Sequence, residues 1–122
     1  MAFDTAIAQF NAREFYACHD TLEALWIEAI EPKRTFYQGI LQLAVAHYHL
    51  LNGNWRGAVI LLGEGLSRLD YYLPEYLGTD VNALMRASQA NLDQLQALGA
   101  DRVEEFPGDR IPRIQRVPGD ES

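Results

Sequence analysis

The sequence predicts an all-α, single-domain bundle of about five helices, and three observations lead there. Between Phe3 and Leu98 the only prolines are Pro32 and Pro74, and both fall where the helical pattern breaks. Apolar residues in that stretch recur every three or four positions, the period of one helix face. No alternation of apolar and polar residues bounded by turn dipeptides competes with it.

A first short helix is expected over Asp4 to Phe10. The second runs from about Arg13 to Ile30, with Phe15, Cys18, Leu22, Leu25 and Ala29 as its apolar stripe. Glu31-Pro32 ends it, because proline lacks the N–H that would continue the helix, and Pro32 suits the first position of the next one. The third helix, about Lys33 to Asn52, is apolar nearly all round. Phe36, Ile40 and Leu43 form one stripe, and Tyr37, Leu41, Ala44, Tyr48 and Leu51 the next. A helix of that kind belongs at the centre. Gly53-Asn54 forms a turn with Asn54 as N-cap of a fourth helix reaching about Leu73. Pro74 to Gly78 reads as a loop, and Thr79 as the cap of a fifth helix ending at Gly99.

A shift of forty residues places Phe15 on Trp55, Cys18 on Ala58, Leu22 on Leu62 and Ala29 on Leu69. The segment Gly53-Asn54-Trp55-Arg56-Gly57-Ala58, followed by Leu62 and Leu66, resembles the turn and second helix of a tetratricopeptide hairpin. The expected architecture is two tetratricopeptide-like αα-hairpins stacked together, with the fifth helix capping the exposed end. Gly57, Gly63 and Gly65 would each cost about 1 kcal/mol in an exposed helix interior, so they read as close-packing positions or, equally, as the site of a kink. Residues 1–100 form the bundle on this reading, and residues 101–122 an extended, proline-containing tail that is partly disordered. In Arg110 to Val117 the arginines and the aliphatics each recur every three residues, the period of a polyproline-II strand with one apolar edge. Arg110, Arg113 and Arg116 either meet an acidic partner or neutralise the protein's own surface.

Composition narrows the function classes. The chain has 122 residues, 48% of them hydrophobic, enough to build one core and too few for two ordinary domains. Ten basic against seventeen acidic side chains give a net charge of −7, which argues against nucleic-acid partners and against adsorption to an anionic membrane. One cysteine excludes a disulfide framework. No apolar run approaches the ~20 residues of a membrane helix, and Met1-Ala2-Phe3-Asp4 lacks the basic start of a secretory signal. A reduced, soluble, cytoplasmic protein is the expectation.

One constellation carries chemistry. The second helix has another stripe, Tyr16, His19, Glu23, Trp26 and Ile30, rotated by roughly 100° from the apolar one. His19 and Glu23 are an i,i+4 pair, with Trp26 on the same side. A short connection at Glu31-Pro32 makes helices two and three antiparallel, so residues at equal height have numbers summing to roughly 63. Gln42 then lies level with His19 and Glu23, Gln38 with Trp26, and both glutamines share a stripe with Val45 and His49. His49 sits about five residues from His19 in height, ~7–8 Å, and His47 points elsewhere. The expected pocket is Tyr16, Trp26, Gln38, Gln42 and His49 around His19 and Glu23.

His19-Asp20-Thr21-Leu22-Glu23-Ala24-Leu25-Trp26 resembles the HxxxExx(W/Y) signature of a bacterial and archaeal family, domain of unknown function 309. Phe10-Asn11, Glu14-Phe15-Tyr16, Gln38-Gly39, Gln42-Leu43-Ala44, Gly53-Asn54 and Gly57-Ala58 are similar to its pattern too, over roughly residues 8–70. The resemblance implies a small helical bundle, no established activity, and a link between the signature and metal binding.

Three readings of His19 and Glu23 stay open. They form a buried hydrogen-bonded pair completed by Gln42, which pins helix two to helix three while the fold serves as a protein-interaction module. They hold a divalent metal or a small ligand. Or they supply the imidazole of a metal-dependent hydrolase. One histidine and one glutamate are fewer ligands than zinc takes, and a homodimer would double them. Trp26 and Trp55 read first as packing residues, Cys18 as an inert buried thiol, and Tyr71, Tyr72 and Tyr76 as packing around the Pro74 loop. No nucleophile elbow, phosphate loop, zinc-protease helix or dinucleotide fingerprint is present, so no reaction can be named.

Overall fold

The structure, a computed structural model, describes residues 2–117. Its helices are α1 (Ala2–Asn11), α2 (Phe15–Glu28), α3 (Lys33–Leu51), α4 (Trp55–Leu69) and α5 (Val81–Leu98). An all-α bundle is what the residue pattern predicted, and four boundaries differ for local reasons. Arg13 adopts φ 63, a left-handed residue that separates α1 from α2 and delays α2 to Phe15. Ala29 is already extended, so α2 stops before Ile30. The Glu31 carboxylate then caps α3, accepting from the Thr35 backbone N–H at 2.9 Å and its hydroxyl at 2.7 Å. Those two bonds hold the Glu31 carboxyl below its ordinary pKa.

α4 ends at Leu69, followed by a 3₁₀ turn over Asp70–Tyr72. Leu73 is extended because the ring of Pro74 disfavours a helical residue before it. The expected loop after it contains a miniature hairpin, β1 (Glu75–Tyr76) paired antiparallel with β2 (Thr79–Asp80). Leu77 and Gly78, both with positive φ, make the two-residue turn. Asp80, not Thr79, caps α5 by accepting from the Ala83 N–H at 2.9 Å. Thr79 is buried instead in a bridge to Arg116.

Each helix packs on its sequence neighbours: α1 on α2, α2 on α3, α3 on α4, α4 on α5. α3 is the common wall, with Phe36, Ile40, Leu43, Ala44 and Ala46 fully buried. Phe36 gathers Phe3, Tyr72 and Tyr76, the last at 4.8 Å between ring centroids. Tyr72 and Tyr76 therefore pack as expected, while Tyr71 is 86% exposed. Trp55 joins α4 to α5, its indole N–H donating to the Leu95 carbonyl at 2.6 Å.

The chain after α5 is not extended throughout. Ala100–Glu105 and Gly108–Arg110 are 3₁₀ turns, a geometry that puts Val103 and Phe106, three residues apart, on one buried side. From Ile111 the segment is extended, with Ile111 and Ile114 buried and Arg110, Arg113 and Arg116 outward. Asn11 clamps it, accepting from the Ile114 N–H at 2.6 Å and donating to the Ile114 carbonyl at 3.0 Å. Arg116 pairs with Asp4 and donates to the Leu77 carbonyl, and Arg110 donates to Gln94. Two of the three arginines are thus engaged by the protein's own surface. The expected disorder bears partly on residues 118–122, which lie outside the described residues.

The glycines of α4 divide. A Cβ on Gly65 would meet Leu43 at 2.9 Å and the Gly39 carbonyl oxygen at 3.1 Å, and one on Gly39 would meet Leu69 at 2.8 Å. A Cβ on Gly57 would meet the His49 ring at 2.8 Å. Gly63, however, faces open space and packs against nothing, contrary to expectation. Gly65→Ala should therefore destabilise by about 1–3 kcal/mol, because a backbone carbonyl cannot move aside. Gly63→Ala should stabilise by about 0.5–1 kcal/mol by limiting the unfolded chain. Urea denaturation of both variants measures the contrast.

His47 lies where α1, α2 and α3 meet, fully buried and stacked on Phe15 with its edge toward Phe10. Its Nδ1–H donates to the Leu43 carbonyl at 2.8 Å, and Nε2 has no partner. Burial lowers its pKa from 6.5 to about 4, with the nearby Arg13 charge adding a smaller push. Between those values the unfolded chain binds the proton and the folded chain does not, so stability falls as pH drops through that window. The loss should approach about 3 kcal/mol at pH 4 relative to pH 7.5. Urea midpoints across this range should flatten in His47→Leu; an equal slope in both proteins would contradict it.

Candidate functional site

The second stripe of α2 opens onto a pocket whose floor is α3 and whose far wall is α4. The cavity is about 290 Å³, lined by His19, Glu23, Trp26, Gln38, Leu41, Gln42, Val45 and Leu61. The antiparallel register read from the Glu31-Pro32 turn brings His19, Glu23, Trp26, Gln38 and Gln42 together. It does not bring Tyr16 or His49 there. Those two line a neighbouring cavity of about 110 Å³ with Phe15, His19, Val45 and Tyr48. His49 is drawn to the start of α4, where its Nδ1 accepts from Asn54 at 3.2 Å and its ring covers Gly57.

The expected His19–Glu23 hydrogen-bonded pair does not form. His19 Nδ1 lies 3.3 Å from Asp20 Oδ1, and the imidazole side chain is 31% exposed. Glu23 is exposed and has no hydrogen bond or ion pair among the described residues. Residues i and i+4 sit close enough to meet, but on a solvent-facing wall water competes for both groups. Nor does Gln42 complete a network with them. Its amide donates to Glu64 at 3.0 Å, and its carbonyl oxygen accepts from Arg68 at 3.1 Å, both on α4. The nearly buried glutamine is satisfied across the α3–α4 interface, which the α2–α3 register alone does not describe.

Trp26 closes one end. Arg34 lies 4.7 Å from its ring centroid, a cation–π contact, and its indole N–H is buried without a partner. Leu41, Val45 and Leu61 supply the apolar surface; Val45 was legible from its stripe, whereas Leu61 needs the α3–α4 register. Cys18 faces away into the core. Its thiol donates to the Ala6 carbonyl at 3.3 Å, and burial pushes it up to about 12, so it is inert. Among the described residues no group of three or more His, Cys, Asp or Glu side chains is placed to hold a metal.

Residues 3–61 match the sequence model of the family described as Domain of unknown function (DUF309). Over this segment the chain is similar to that family. The match covers α1, α2, α3 and the first half of α4, and every residue lining the larger cavity falls inside it. The uncharacterized protein YpuF of Bacillus subtilis (strain 168) is 32% identical over 103 residues, covering 81% of this chain and 59% of that protein. The chain thus spans about three-fifths of its relative's length. No solved structure matches. No helix of the described residues is long and apolar enough to cross a membrane.

In the segment that matches the family, the exposed pair and the buried glutamine should respond differently to truncation. His19→Ala should change stability by less than about 1 kcal/mol, as for a surface group. Gln42→Ala should cost about 1–3 kcal/mol by leaving Glu64 and Arg68 without their bridge. Thermal melts of both variants test the assignment, and a large loss in His19→Ala would restore a structural role.

Proposed function

We propose that this chain is a binding module whose pocket takes an organic group with an apolar stem and a cationic head. The observation that carries the reading is Glu23. Its carboxylate lines the cavity with no hydrogen bond or ion pair among the described residues, one helical turn from Trp26 and beside an apolar floor. A carboxylate next to low-dielectric surface gains more from an ammonium or guanidinium than it would in bulk water. Leu41, Val45 and Leu61 would cover the stem, and the half-buried Gln38 amide offers a further polar contact. At about 290 Å³ the cavity lies at the small end of ligand sites, so a fragment should bind in the millimolar range.

A divalent metal fits this donor set poorly. One imidazole and one carboxylate supply two protein ligands, where catalytic zinc takes three and structural zinc four. Acid–base catalysis has no more support, because Asp20 rather than Glu23 approaches the His19 ring and the cysteine is sealed in the core.

The two indole N–H signals provide the test, since Trp55 is tied to Leu95 and acts as an internal control. Phenethylamine should shift the Trp26 indole resonance saturably and leave Trp55 unmoved. The neutral analogue 2-phenylethanol should bind at least several-fold more weakly, and Glu23→Gln should remove the difference. Equal binding of amine and alcohol by the unmodified protein, or an unmoved Trp26 signal, would overturn the reading.

A further inference from the structure

We infer that the pocket is one end of a groove that holds an amphipathic helix from a partner protein, with a lysine or arginine of that helix entering beside Glu23. The inference rests on the reading of the pocket given above and names the source of its cationic group. Long basic side chains are apolar stems with charged heads, which is the chemistry that pocket accepts.

Four features of the structure lead to a helix. First, the two cavities are adjacent, with His19 and Val45 lining both. Together they follow α2 from Tyr16 to Trp26, a length of ~15 Å, or close to three helical turns. Second, the smaller cavity has an aromatic rim left open to solvent. Tyr16 is 64% exposed and Tyr48 38%, and the two rings pack edge-to-face at 5.8 Å. Such a rim exposes apolar surface without spending it on the core.

Third, the spacing suits a helix better than an extended chain. Tyr48 and Leu41 mark the two cavities along α3, seven residues and ~10 Å apart, the rise between positions i and i+7 of a bound helix. An extended peptide returns to the same side every ~7 Å or ~13 Å. It would also find no backbone partners, because the groove walls are helices whose N–H and C=O groups are already paired. Fourth, the charged side chain that lines the groove is the acidic Glu23, with Asp20 beside His19 and Glu64 bonded to Gln42 just outside the lining. Asp20, Glu23 and Glu64 form no ion pair with any described lysine or arginine. The two nearby arginines are occupied, Arg34 on the Trp26 ring and Arg68 on Gln42. A chain of net charge −7 whose groove carries the carboxylate of Glu23 beside an apolar floor complements a basic amphipathic helix.

The test uses three synthetic 14-residue peptides built from leucine, alanine and one charged residue type, at about physiological salt so that diffuse attraction is screened. One places leucine and lysine seven positions apart on a single helix face. One replaces every lysine by glutamate. One has the composition of the first with its apolar face scrambled. The first should bind, shifting backbone resonances along Tyr16–Trp26 and Gln38–His49 and the Trp26 indole. The other two should bind at least tenfold more weakly. Tyr48→Ala should weaken the first peptide about tenfold. Equal binding of the scrambled lysine peptide, or shifts outside the groove, would overturn the inference, as would no loss in Tyr48→Ala. If phenethylamine moves the Trp26 signal and no peptide does, the helix falls and the pocket reading stands. If neither moves it, both fall.

Discussion

The close approach of α3 and α4 is the contact on which the rest of the structure depends. Gly39 and Gly65 face each other across it, and the Gly39 carbonyl sits where a side chain on residue 65 would begin. Because the backbones come this near, Leu43 and Leu69 fill the space beside the glycines, and Gln42 reaches Glu64 and Arg68 on the neighbouring helix. α2 then packs on the other side of α3, and the pocket is the cleft left between the outer two helices. A wider α3–α4 separation would pull Leu61 away from the cavity and strand a nearly buried amide.

The polar groups of the bundle divide according to whether the protein satisfies them itself. His47, Cys18 and Gln42 are buried and take their partners from backbone or neighbouring side chains. Burying such groups costs free energy unless they are bonded, and each of these has at least one bond. Their chemistry is thereby suppressed: the His47 imidazole is held neutral and the Cys18 thiol protonated. His19 and Glu23 are the opposite case. They stand on a wall open to solvent, the first with Asp20 as its hydrogen-bond partner and the second with none among the described residues. The His19 and Glu23 side chains, left to solvent, face the cleft.

The ends of the chain brace this arrangement without entering it. A ten-residue helix such as α1 is marginal by itself in water. It is held by its packing on α2 and by the Asn11 clamp on Ile114, with Arg116 and Asp4 adding an exposed ion pair. α5 is bound to α4 through the Trp55 indole, and the final extended segment adds hydrogen bonds to the hairpin at Gly78 and Asp80. The DUF309 match ends within α4, so α5 and the strap that follows act here as support for a pocket built wholly upstream of them.

By itself the sequence determined what depends on local periodicity and backbone chemistry. Five helices, the central rank of α3, the Asn54 cap, the stop at Gly99 and the shared face of His19, Glu23 and Trp26 all follow from residues within a turn or two of one another. The α2–α3 register was legible as well, because Pro32 makes the connection short and antiparallel neighbours then have numbers that sum to a constant. The two-residue strands were not, since they are too short to carry a period, and Gly63 could not be told from Gly65 by residue type. Tertiary structure alone decided which partner each polar group takes. Gln42 turns to α4, His49 to Asn54, and Glu23 to no group among the described residues, because hydrogen bonds form with whatever lies within about 3 Å. That distance is set by how three helices pack at once, which no pairwise reading of the chain contains.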